Sequence, residues 1–157
     1  MPHVTMEYSA NLESQVDFDG LCRAIHTTGI ATGLFELGAV RVRAIKCDHY
    51  AIADLLPQNS FIDTSIRIGL GRSQADKERL GEAINTSMNE FLAEQLSQPY
   101  FALSIEVREI NTPLSWKTNA MHPRIRSAAK ASSSEKASST DKSSSTDKPS
   151  SSEKGNT

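Results

Sequence analysis

The chain has 157 residues and a formal net charge of −2 at pH 7. This length suggests one domain with a substantial core, and the small charge gives no indication of a nucleic-acid or membrane partner. No segment approaches the roughly 18 consecutive apolar residues that a membrane span requires, and the acidic N-terminal region does not resemble a secretion signal. Cys22 and Cys47 form no CxxC pair, so we expect a reduced, cytoplasmic protein.

The first predicted unit is a strand, a helix and a second strand. Apolar and polar residues alternate over 4–8, which is the period of a strand. Apolar residues then recur at helical spacing over 18–25, and glycines follow. The segment AVRVRAIKC (39–47) alternates again and predicts the second strand.

The second unit repeats this order. SFIDTSIRI (60–68) predicts a strand, an apolar stripe predicts a long helix over 74–97, and FALSIEVRE (101–109) predicts the last strand. Ser73 is placed to cap the helix, with Asp76 three residues further on. Two βαβ units in tandem predict an α+β fold, a four-stranded sheet with both helices on one face. The other face would be uncovered, and the simplest cover is another copy of the chain.

The composition changes near residue 127. Four six-residue repeats, each ending in an acid and a lysine, occupy 131–154. Because alanine is the only apolar residue in this tail, it cannot bury enough surface to offset its ordering entropy. We therefore predict a folded domain over 1–126 and a disordered tail over 127–157.

Known catalytic motifs are missing, so three arginines become the candidate binding residues. The sequence contains no GxSxG, P-loop or HExxH, and its histidines lack metal-ligand spacing. Arg72 lies in GLGRS, a glycine turn that opens a helix and could bind a carboxylate, or could be an ordinary exposed turn. Arg41 and Arg43 share one strand face, which is unfavourable unless they are solvated or hold an anion. The ordinary alternative is a charged edge strand that resists aggregation.

Pro2 is the candidate base. Removal of Met1 would leave its ring nitrogen as a free secondary amine, more basic than an ordinary α-amino group. A guanidinium about 5 Å away, at an effective dielectric constant of about 20, would cost the protonated amine roughly 3 kcal/mol. That corresponds to about two pKa units, and apolar burial acts in the same direction. The ordinary alternative is that proline in this position merely permits removal of methionine.

Taken together, MPH before a strand, RVR in the second strand, IGLGRS, FALSIEVREI and NTPLSWKTNAMH resemble the 5-carboxymethyl-2-hydroxymuconate Δ-isomerase family. This family is the fused-repeat branch of the tautomerase superfamily. The resemblance extends from Pro2 to about Arg124 and rests on the order and spacing of these segments.

The resemblance implies a cytoplasmic homotrimer that uses neither a cofactor nor a metal. Pro2 would move a proton within an unsaturated di- or tricarboxylate during homoprotocatechuate breakdown. Arg41 and Arg72 would assist catalysis, and Arg43 and Ser73 would lie on the substrate-binding surface. Since the second unit begins near Ser60, where no free amine exists, we expect three active sites per trimer.

Two alternatives stay open at this point. The same fold could act on another acid, as phenylpyruvate tautomerases and dehalogenases of the superfamily do. The chain could also be a non-catalytic trimeric scaffold whose tails recruit partners, in which case Met1 would stay attached.

Overall fold

The computed structural model describes residues 1–140 and forms an α+β fold. Its helices and strands, in chain order, are β1 (His3–Ser9), α1 (Phe18–Ala31), β2 (Arg41–Cys47), β3 (Ser60–Gly69), α2 (Gln74–Phe91), α3 (Ala93–Leu96), β4 (Phe101–Ile110) and α4 (Met121–Thr140). Short 3-10 turns occupy Ala10–Leu12, Leu37–Ala39 and Thr112–Leu114.

The sheet confirms the prediction of two βαβ units. The four strands lie in the order β2-β1-β3-β4. β1 is parallel to β2 and β3 is parallel to β4, whereas β1 and β3 are antiparallel. The two units therefore meet along β1 and β3 and run in opposite directions. As a result, the starts of β1 and β2 lie at one end of the sheet, and the starts of β3 and β4 lie at the other.

Alternate residues of the strands pack under α1 and α2 in one apolar core. Burying each large apolar side chain there contributes roughly 1.5–3 kcal/mol. The fully buried side chains include these from the two inner strands and the two helices: Met6, Ile62, Ile66, Leu21, Ile25, Leu80, Ile84 and Met88. Tyr8 closes this core at one end, where its ring stacks on Phe18 with the centroids 3.7 Å apart. Both predicted helices thus lie on the same face of the sheet.

Polar side chains cap the two long helices at their N-termini. A side-chain oxygen of Asp17 accepts a hydrogen bond from the Gly20 N–H at 2.8 Å. Ser73 Oγ accepts one from the Asp76 N–H at 3.1 Å, which confirms the predicted cap. Each bond satisfies a donor that the first helical turn leaves without a partner.

The prediction of one uninterrupted helix over 74–97 is wrong, because α2 ends at Phe91 and α3 begins at Ala93. Leu92 between them has φ −101° and ψ 20°, outside the helical region. Its N–H still donates to the Met88 carbonyl, and its own carbonyl accepts from the Leu96 N–H, both at 2.9 Å. The apolar stripe therefore continues through the break, and periodicity alone does not reveal it.

The outer face of the sheet, opposite α1 and α2, carries a graded charge pattern. At one end His3 pairs with Arg41 on one side and with Arg67 on the other. Towards the opposite end Glu7 pairs with Asp63. The outer face is therefore basic at the Pro2 end and acidic at the far end.

Contacts within the chain divide it into two units, Met1–Thr118 and Asn119–Thr157. In the second unit Asn119 Oδ1 accepts a hydrogen bond from the Met121 N–H at 3.0 Å, just where α4 begins. Within the predicted tail, the described residues 127–140 continue α4, and the disorder of the tail stays a prediction. Alanine has the highest helix propensity, and several alanines follow residue 127. The rest of the predicted tail, 141–157, lies outside the described residues.

None of the helices described over 1–140 combines the length and the apolar character that a membrane crossing needs.

Candidate active site

The start of β1 places Pro2 directly beside the start of β2. The Pro2 carbonyl accepts a hydrogen bond from the Arg41 N–H at 3.2 Å, and the next residue, His3, pairs with Arg41 in the sheet. Pro2 is buried, whereas Met1 and Arg41 are half-buried. The backbone of Pro2 is therefore held against the start of β2.

Arg72 reaches this end of the sheet from the turn between β3 and α2. Gly71, with φ +97°, adopts a backbone conformation that residues with a side chain rarely adopt, and so turns the chain before Arg72. The two terminal nitrogens of Arg72 donate to the carbonyls of Gly69 at 3.2 Å and Leu34 at 3.1 Å. Its guanidinium also lies 4.5 Å from the centroid of the Phe35 ring. These contacts fix the cation with part of its donor set still available for a ligand.

Arg41 is oriented by the turn that precedes its own strand. One terminal nitrogen donates to the Ala39 carbonyl at 2.7 Å. This bond folds the side chain back towards the 3-10 turn Leu37–Ala39, while the strand holds the backbone against Pro2. Arg41 thus presents a fixed positive charge at the start of β2.

The N-terminal amine lies within the field of these cations. The pKa of the Met1 α-amino group is lowered from its ordinary value of 8.0, first by partial burial. The positive charges of Lys117, Arg72 and Arg41 lower it further, in that order. Because each of these effects destabilises the protonated form, an amine here is neutral over a wider pH range than an exposed one.

Arg43 lies one pair further along the same strand face and contacts His3. Its terminal nitrogen is 2.9 Å from His3 Nδ1. Since arginine can only donate, Nδ1 must accept, so the imidazole is neutral and carries its proton on Nε2. Burial lowers the pKa of His3, and Arg43, Arg67 and Arg41 lower it further. The basic end of the outer face therefore holds a neutral histidine among arginines.

Comparison with known proteins shows which family the chain belongs to. The family model described as 5-carboxymethyl-2-hydroxymuconate isomerase matches residues 2–125. The chain belongs to the 5-carboxymethyl-2-hydroxymuconate isomerase family. An Escherichia coli protein named 5-carboxymethyl-2-hydroxymuconate Delta-isomerase is 30% identical over 122 residues, which cover 78% of this chain and 97% of that protein.

Two solved structures of the isomerase family share the fold. The 5-carboxymethyl-2-hydroxymuconate isomerase from Deinococcus radiodurans R1 is 31% identical, with a TM-score of 0.74, and the match covers 79% of this chain and 93% of that one. A 5-carboxymethyl-2-hydroxymuconate delta-isomerase structure is 28% identical, also with a TM-score of 0.74, and the match covers 80% and 93% of the two chains. The resemblance inferred from the sequence is thereby confirmed.

In this member of the isomerase family, the structure brings Pro2, Arg41 and Arg72 to one end of the sheet. Arg43 is on the same face but contacts His3. Ser73 follows Arg72 directly, and its hydroxyl both accepts from the Asp76 N–H and donates to Asp76 Oδ2 at 2.8 Å. The catalytic and substrate-binding roles of these five residues stay predictions.

Sequence reasoning missed three residues at this end of the sheet. Lys117 is the largest charged influence on the N-terminal amine, and its one sequence signal is its place in the NTPLSWKTNAMH segment. Leu34 and Phe35 hold the Arg72 side chain from the connection between α1 and β2. No local pattern links that connection to a turn 38 positions later.

Among residues 1–140, no group of three or more His, Cys, Asp or Glu side chains is arranged to hold a metal ion. The expectation that the reaction needs neither a metal nor a cofactor stays a prediction from the resemblance.

Proposed function

We propose that this chain isomerises 5-carboxymethyl-2-hydroxymuconate with the secondary amine of Pro2 as the base, after Met1 has been removed. The observation that carries the proposal is the environment of the N-terminus. The α-amino group of Met1 is partly buried and lies in the field of Lys117, Arg72 and Arg41, which lower its pKa, and we expect the same cations to act on the Pro2 nitrogen one residue further along the chain. A base that works near neutral pH needs this kind of environment.

The proton transfer needs one group that can both accept and donate. The neutral Pro2 nitrogen would take a proton from the substrate, leaving a conjugated enolate. The resulting ammonium would return a proton to a carbon further along the conjugated system, so the product has the same atoms and a shifted double bond. Because the nitrogen ends as it began, no oxidant or reductant is needed.

The arginines would stabilise the charge that the substrate brings and the charge that develops. Arg41 and Arg72 both lie near the amine, so a bound carboxylate would neutralise part of their repulsion. Fixed cations at the developing enolate stabilise it without reorganisation during the reaction. Arg43 and Ser73 would extend this surface to a second carboxylate, which suits a substrate with several acid groups.

The proposal includes a homotrimer with one base from each chain. The second βαβ unit starts at Ser60, whose backbone N–H donates to the Tyr100 carbonyl at 2.8 Å. It therefore offers an amide where the first unit offers an amine, and a trimer would hold three active sites. With this substrate the enzyme would act in the breakdown of homoprotocatechuate.

The deciding experiment compares two forms of the protein in an ultraviolet assay of 5-carboxymethyl-2-hydroxymuconate isomerisation. One form begins at Pro2, as checked by intact mass, and the other carries one extra residue before it. Acylation removes the basicity of the nitrogen, so the extended form should lose nearly all turnover. Pro2→Ala, which keeps a free but primary amine, should lose most of it. Equal turnover by the extended form would exclude Pro2 as the base.

A further inference from the structure

The internal repeat gives the Pro2 site a counterpart at the other end of the sheet. Four places meet near Pro2: the starts of β1 and β2, the turn after β3, and the segment after α1 that holds Leu34 and Phe35. In the repeat these correspond to the starts of β3 and β4, the connection after β1, and the segment from α3 to β4. Since β1 and β3 are antiparallel, the second set meets at the opposite end.

A cavity of about 610 Å³ lies at this second meeting point. Ser60 and Phe101 line it from the starts of β3 and β4, and Asn11 and Gln15 from the connection after β1. Gln95 lines it from α3 and Gln98 from the link between α3 and β4. All four counterpart elements thus contribute to its wall. The cavity therefore occupies, in the second unit, the position that corresponds to the Pro2 end of the first.

The side chains in this cavity have a different chemistry from those near Pro2. None of its described lining residues is Lys, Arg or His, and the charged one among them is Glu94. Where the Pro2 end has cations, this wall has carboxamide side chains: Asn11, Gln15, Gln58, Gln95 and Gln98. A carboxamide both donates and accepts hydrogen bonds, so this wall suits neutral groups that do the same.

Two contacts show that part of this wall is held in place. Asn11 Nδ2 donates to the carbonyls of Asn59 at 2.9 Å and Pro57 at 3.2 Å, while its buried Oδ1 has no hydrogen-bond partner. Gln95, which is 9% exposed, donates to the Gln15 carbonyl at 3.3 Å. Tyr100 adds an aromatic ring at the rim, 40% exposed. These contacts fix the orientation of the Asn11 and Gln95 carboxamides.

We infer that this cavity is a second binding site, specific for a neutral, hydroxyl-rich small molecule such as a sugar. Hydroxyl groups match the carboxamides in both directions, and the Tyr100 ring offers an apolar surface for the C–H face of a sugar. Glu94 and the missing cations disfavour a carboxylate. The site therefore selects against the acids that the Pro2 end attracts.

The test is a titration of the full ¹⁵N-labelled chain, followed through the side-chain amide resonances of its Asn and Gln residues. The probes are D-glucose, D-galactose and D-mannose, with D-glucuronate as the acidic counterpart. We expect saturable shifts from at least one neutral sugar, confined to the cavity carboxamides. Binding of glucuronate should be weaker, and Glu94→Gln should reduce that difference.

Two variants make the assignment specific. Gln98→Leu, at an exposed position in the cavity wall, should weaken binding about tenfold, the effect of losing one hydrogen bond. Gln74→Leu is the control, since Gln74 is exposed at the start of α2 and bonds to Glu78. The inference is overturned if no neutral sugar gives saturable shifts up to about 100 mM, if glucuronate binds equally well, or if Gln74→Leu weakens binding as much. The readout does not depend on isomerase activity, so either proposal can fail alone.

Discussion

The cations near Pro2 act on the basicity of the amine as well as on any carboxylate bound there. Lys117, Arg72 and Arg41 all lower the pKa of the Met1 α-amino group, and we expect them to act in the same direction on the Pro2 nitrogen once Met1 is removed. Without substrate, the same repulsion makes the site attractive to an anion. Each cation can therefore be tested through the pH dependence of the reaction as well as through its rate.

Lys117→Gln should shift the acidic limb of the kcat/KM profile to higher pH. Lys117 is the largest charged cause of the lowered pKa of the Met1 amine, so its removal should make the Pro2 amine, one residue further along, easier to protonate. Because only the neutral amine is a base, the variant should lose activity at a pH where the native enzyme still works. Well above the limb the two enzymes should differ little. The measurement is the pH profile of kcat/KM at low ionic strength, where such effects are least screened.

Lys46→Gln is the matched control for this experiment. Lys46 is an exposed lysine near the end of β2, paired with Tyr8 at the opposite end of the sheet from Pro2. The Lys46→Gln substitution removes the same charge far from the amine, so the kcat/KM pH profile of this variant should follow the native profile. An unshifted limb in Lys117→Gln would show that Lys117 has no influence on the catalytic base.

At the scale of elements, the N-termini of α1 and α2 offer a comparison that separates capping from binding. Asp17 caps α1 and Ser73 caps α2 through hydrogen bonds to backbone N–H groups. Each bond stabilises a helix start by typically about 1 kcal/mol. Ser73 adjoins Arg72 and is predicted to bind substrate, whereas Asp17 precedes α1, at the opposite end of the sheet from Pro2.

Ser73→Ala and Asp17→Ala should therefore have similar effects on stability and different effects on catalysis. We expect both to lower the free energy of unfolding by about 1 kcal/mol in urea titrations. Ser73→Ala should also raise KM, because it removes a hydroxyl that would turn from Asp76 to a bound carboxylate, while Asp17→Ala should leave kcat and KM unchanged. A Ser73→Ala enzyme with a native KM would show that Ser73 caps α2 and does not bind the substrate.

The elements that the sequence predicted best are those with a local pattern. Alternation predicted all four strands, because one face of each strand packs towards the helices, buried in β1 and β3 and half-buried in β2 and β4. The break at Leu92 was missed since its side chain is fully buried and continues the apolar stripe. Arg72 and Leu34 are 38 positions apart in the sequence. Lys117 and the Met1 amine, on which its charge acts, lie near opposite ends of the first unit's sequence. Such long-range features depend on how the two units pair.

At the scale of the whole molecule, the outer face of the sheet is the surface predicted to pack against other copies. Its middle is formed by Thr5 and Ser65, which pair across β1 and β3 and are half-buried. Arg41, His3 and Arg67 lie towards one end of this face, and Glu7 and Asp63 towards the other. Opposite charges at opposite ends allow copies to meet with complementary potentials and disfavour other alignments.

Ser65→Arg should dissociate the proposed trimer while leaving the fold of each chain intact. Ser65 lies at the centre of the outer face, so a long cation there would be buried without a partner when copies pack together, a strongly unfavourable arrangement. In a single chain the same side chain would extend into water at little cost. Light scattering after size-exclusion chromatography should give a trimer mass for the native protein and a monomer mass for the variant, with similar circular dichroism. Glu90→Arg, exposed near the end of α2, changes more charge on the helical side and should keep the trimer. A Ser65→Arg protein of native mass would place the interface elsewhere, and the outer face would then need another cover.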